Sequence, residues 1–169
     1  MKANPTNKLM KTILTTIALL LAGSSVQLSA QDDWTVIVVT DHGQVVSQTC
    51  NGGVCTFVFQ GRGTLNIMGR INRISWTANV VQDFNVTPCN TALAEFTLVG
   101  ANGSITISDA CGIVCPGVGV GSPNTIQSVW NVTGGTGEFT GIAGSGTTQG
   151  TIDGHGPVVR LNGVLSDQR

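Results

Sequence analysis

Apolar and polar side chains alternate along most of the chain beyond residue 33. Ile74, Trp76, Ala78 and Val80 fall on one parity, and Arg73, Ser75, Thr77 and Asn79 on the other. That period of two is the pattern of a half-buried strand. Residues 94–109 hold two such runs around Ala101 and Asn102. A hairpin centred there sets Phe96 opposite Ile107 and Leu98 opposite Ile105, with four apolar side chains on one face. Residues 125–152, TIQSVWNVTGGTGEFTGIAGSGTTQGTI, follow the same plan. Ile126, Ser128, Trp130 and Val132 share a face, a turn falls at Gly134 to Gly137, and a return strand from Phe139 is studded with small residues. Gly141, Ala143, Gly144 and Gly146 permit strong coiling and close approach of neighbouring backbones. Residues 158–165 close the series.

Two further segments, WTVIVVT at 34–40 and VCTFVF at 54–59, are apolar on both parities. Strands of that kind need cover on two sides. A small barrel has one dry side, so the N-terminal strand, a loop or a second subunit must cover the other. A homo-oligomer, dimer or trimer, is one of those solutions. A glycine near Gly69 and Arg70 suggests a bulge or sharp bend between the strands on either side. Residues 111–124, CGIVCPGVGVGSPN, read as an apolar loop and a candidate lid. The whole amounts to roughly eight to ten short strands at regular spacing, an all-β barrel or sandwich.

The N-terminus breaks this pattern. Lys2, Lys8 and Lys11 precede an apolar run over 13–22, then small residues to Ala30. Residues 1–30 thus read as a secretory signal peptide, more conventional still if translation starts at Met10, with residues 31–169 as one β-barrel domain. The apolar run is too short to span a bilayer. Ser24 stands where a lipid-modified cysteine would follow Leu21, Ala22 and Gly23, so no membrane anchor is expected and the product is secreted or periplasmic.

Removing the leader removes every lysine. Residues 31–169 carry five arginines against nine carboxylates, a formal charge of −4. No basic patch for nucleic acid results. Export makes disulfides the default reading of the five cysteines. With Gly52 and Gly53 as a two-residue turn, Cys50 faces Cys55 at a separation a disulfide accepts. Extending the Phe96 to Ile107 register brings Cys89 nearest Cys115. Cys111 is then free or dimer-forming, while a local bridge from Cys111 to Cys115 stays open. Neither cysteine spacing has histidines suited to zinc, and the loops lack the clustered acids of a calcium site.

Catalytic chemistry is hard to assemble from these residues. His42 and His155 sit beside glycines in predicted turns, without a nucleophile motif. Glu95 and Asp109 flank one hairpin as a carboxylate pair, but Glu95 is out of phase with Phe96 and Leu98 and points to the wetter face. The glycine-rich turn at 134–137 is followed by no helix and no lysine, which removes a phosphate loop. No catalytic residue, metal or cofactor is assigned.

Four blocks carry a family resemblance: FQGRGTLNIMGR (59–70), AEFTLVGANGS (94–104), TGGTGEFTGIAGSG (133–146) and LNGVLS (161–166). Together they resemble secreted bacterial proteins related to the allene oxide cyclase and dirigent barrels. The third block is the most specific. The resemblance implies an eight-stranded antiparallel up-and-down barrel with an apolar cavity, trimeric in many plant relatives. No counterparts of the plant proteins' catalytic residues stand out, and fold alone does not carry activity.

The primary functional expectation is a non-enzymatic exported barrel. It would bind a small apolar or amphipathic ligand between Trp76, Phe96, Ile107 and Trp130. The alternatives are an isomerase or cyclase acting on an unsaturated lipid-like substrate, and a structural or surface-interaction protein. An ionisable group inside the barrel would favour the enzyme.

Overall fold

The computed structural model describes residues 33–168. The expected leader and its cleavage point near Ala30 lie outside the described residues. Nine strands run in order: β1 Asp33–Thr40, β2 Gln44–Asn51, β3 Val54–Ile67, β4 Arg70–Asp83, β5 Asn90–Gly100, β6 Gly103–Cys115, β7 Asn124–Gly135, β8 Ile142–Asp153 and β9 Gly156–Asp167. From β2 to β9 each strand pairs antiparallel with the next in sequence. β1 then pairs with β9 on one side and with the second half of β3 on the other. This seals an eight-stranded antiparallel barrel, and β2 stays outside the closure, paired only with the first half of β3.

Turn chemistry explains why these hairpins form. Gly52 and Gly53 both have positive φ, 57° and 85°, the geometry of a primed two-residue turn whose twist matches its strands. Cys50 accordingly pairs with Cys55. Met68 and Gly69 make a similar turn, with φ of 52° and 81°. Of the bulge or sharp bend expected near Gly69, the chain takes the bend, as a tight turn. The hairpin of β5 and β6 pairs Phe96 with Ile107 and Leu98 with Ile105, as the alternation predicts.

The core fills the barrel interior. Ile74, Trp76 and Ala78 of β4 point inward with Phe96, Leu98, Ile105, Ile107, Leu161 and Leu165. Each large indole is matched to missing side chains. Trp130 pairs with Gly146, which pairs with Gly163, and a Cβ on either glycine would collide with the ring. Its Nε1 donates to Thr147 O at 3.1 Å, and Trp76 Nε1 donates to Arg62 O at 3.0 Å, so neither buried indole is left without an acceptor.

The two ends of the barrel differ. After β7 a single 3-10 turn, Gly137–Phe139, buries Phe139 in the core and ties to the β5–β6 turn through Glu138 N to Asn102 O, 3.0 Å. Phe139 thus starts no return strand; it belongs to a plug. At the opposite end lie the β2–β3 hairpin, the 84–89 and 116–123 connections and the β8–β9 turn. Disulfides Cys50–Cys55 and Cys89–Cys115 are both there. Residues 111–115, expected in a loop, continue β6. The remaining loop is no cover, because Val118 and Val120 are fully exposed.

Candidate functional site

The interior is not filled throughout. Toward the disulfide end a partly enclosed cavity of about 60 Å³, measured as room for the centres of water-sized molecules, opens among strands β3 to β9. A volume of that kind exceeds what one water needs several-fold. Its walls are mostly apolar: Phe59, Trp76, Val80, Phe96, Val114 and Val159 are typical. A groove at the mouth, which adds Phe57, Phe84, Asn124 and Asp153, shares Phe59, Gln82, Val114 and Ile152 with the cavity. Cavity and groove are thus adjacent, with these four side chains between them. Phe57 lies 5.7 Å from Phe59 and 6.4 Å from Phe84, centroid to centroid, so aromatic faces line the approach.

Three polar side chains interrupt this lining: Gln82, Asp109 and Ser128. All are at least nine-tenths buried, and Asp109 is only 7 % exposed. Asp109 is placed by a bulge. Against both neighbours β6 carries one extra residue, since Asp109 faces Trp130 while Cys111 faces Val129, and the β5 register slips between Ala92 and Glu95. Ala110 and Cys111 consequently both face solvent, and Asp109 and Gly112 both face inward. Bulges re-aim side chains in this manner and recur beside functional sites.

The electrostatics of Asp109 follow from that position. Desolvation by burial raises its pKa from the ordinary 3.8 to about 6, opposed by the nearby hydroxyls of Ser128 and Thr148. Thr148 Oγ1 donates to Asp109 Oδ1 over a long 3.5 Å. Ser128 pairs with Thr148 across β7 and β8. Its hydroxyl is close enough to favour the carboxylate, yet it is aligned in no hydrogen bond and has no accessible surface. No arginine, lysine or histidine lines the cavity among the described residues.

Of the four residues named as ligand-binding, Trp76 and Phe96 form walls of the cavity. Ile107 and Trp130 are buried in the same core but lie outside its lining. The sequence did carry a signal for Asp109, which is in phase with Ile105 and Ile107, and for Ser128, in phase with Trp130. Folding also brings His42 and His155 together, 5.9 Å between ring centroids, on the exposed connections beside β9. Neither histidine reaches the cavity. Cys111 is a free, exposed thiol.

Comparison with protein-family models, with curated proteins and with solved structures finds no match. The cavity must therefore be read from its own chemistry.

Proposed function

We propose that this protein is an exported barrel, akin to the allene oxide cyclase and dirigent-like barrels, that binds a small apolar or amphipathic molecule in its interior. One observation carries the reading: a mostly apolar cavity beside an aromatic groove, with a few polar groups buried in its wall. That combination is how small-molecule sites draw affinity from apolar burial and orientation from a few polar contacts. Two disulfides fit an oxidising compartment such as the periplasm or the cell exterior. An isomerase or cyclase is the second reading, favoured by the buried carboxyl of Asp109, which could hold or move a proton beside a bound substrate. Native mass spectrometry of the protein recovered from periplasm or medium tests the first reading. A co-purifying small molecule, lost when Ala94→Trp fills the cavity, is expected. Protein that is empty from every host, and that takes up no apolar probe, overturns it.

A further inference from the structure

Building on that binding reading, we infer that the cavity selects an apolar molecule ending in a protonated amine, held by Asp109. The argument begins with charge. Asp109 is buried in a mostly apolar wall, and among the described residues its carboxyl is met only by neutral hydroxyls, Thr148 over a long 3.5 Å and Ser128 close by without alignment. A buried carboxylate without a cationic partner is costly, and no cationic side chain lines the cavity. Ser128 brings little relief: its Oγ lies near the carboxyl but is aligned in no hydrogen bond, and being inaccessible it leaves Asp109 as the group a ligand can meet.

The class of ligand follows by comparing candidates. A neutral alcohol would donate one hydrogen bond to Asp109 but leave its charge uncompensated. A carboxylate ligand, such as a short fatty acid, would bring a second negative charge beside Asp109 with nothing positive to offset it. A primary ammonium brings three donors and one positive charge. The Asp109 carboxylate is an acceptor in the lining, and Gln82 offers another toward the mouth. The alkyl or aromatic remainder then lies along Phe59, Val114 and Ile152 into the groove.

Isothermal titration calorimetry at pH 7.5 with hexylammonium, 1-hexanol and hexanoate tests this. At that pH Asp109 is ionised, being above the value of about 6. The amine should bind about tenfold or more tighter than the alcohol, with hexanoate weakest. In Asp109→Asn the advantage of the amine should vanish while hexanol binding persists. As a check that needs no variant, the wild-type preference should shrink at pH 5. The β5, β7 and β8 residues packed around Asp109 carry no other titratable group, Asp153 lies out in the groove, and the amine stays charged throughout. Equal affinities for the three probes, or a preference that survives Asp109→Asn, would overturn the amine inference and leave the apolar cavity standing. Failure of all three probes to bind would overturn both.

Discussion

Asp109→Asn makes the most exposing test of how the interior is built, because the two side chains have nearly the same shape and differ in charge. Burial raises the pKa of Asp109 from 3.8 to about 6 in the folded protein. Between those values the folded state holds a proton that the unfolded chain has released. Stability from this group is therefore complete below about 4 and lost as pH rises through 6. At 1.36 kcal/mol per pH unit the gap amounts to about 3 kcal/mol by pH 8. An asparagine at this position would carry no such slope. The variant should match the wild type at pH 4 and exceed it at pH 8 by up to about 3 kcal/mol, or roughly 6–12 °C in Tm for a domain of this size. Thermal unfolding followed by circular dichroism at pH 4, 6 and 8, with disulfides intact, reads it directly. The other carboxylates are common to both proteins and cancel in the difference. A difference that stays flat from pH 4 to 8 would falsify the claim that Asp109 is desolvated in the fold.

Three further outcomes follow from the geometry. Gly146→Ala drives a methyl into the Trp130 indole and the Asn162 carbonyl and should cost about 1–3 kcal/mol, measured by urea unfolding; a neutral result would mean that Trp130 does not rest on that glycine. Alkylation of unreduced protein should label Cys111 alone, and cleavage after Glu95 should leave the peptide holding Cys89 attached to the one holding Cys115; label on Cys89 or Cys115 would contradict the pairing. Val81 and Leu93, exposed and directly paired on the outer face of β4 and β5, predict a homo-oligomer, dimer or trimer, by sedimentation velocity, and a monomer at micromolar concentration would refute it.

How much of this could be read beforehand depends on whether local rules decide the matter. The Cys50–Cys55 pair was legible because two adjacent glycines fix a turn and a turn fixes a register. The Phe96 to Ile107 register was legible because slipping it by one would turn four apolar residues outward. Cys89 lines up with Cys115 for a subtler reason. Strict extension of that register points Cys89 at Val114, and the extra residue of β6 supplies the missing step. Nothing in SDACG marks a bulge, since any residue can occupy one and only the pairing of neighbours exposes it. The cavity was hidden for a related reason: alternation tells which side chains face in, not whether they meet. Ile107 and Trp130 share the phase of the cavity walls but are packed within the core outside its lining. The role of β2 was likewise set by the seam of the barrel, where Thr40 accepts from Val159 N at 2.9 Å as the chain leaves the sheet.

Both disulfides sit at the same end of the barrel as the groove. Cys89–Cys115 ties the beginning of β5 to the end of β6, and Cys50–Cys55 stitches the ribbon that overhangs β3. Each bridge joins two neighbouring strands, so neither pair can peel apart at this rim while the cysteines are oxidised. If the proposed guest enters at this end, a thiol reductant would act as a change of aperture, accelerating its exchange before the barrel unfolds.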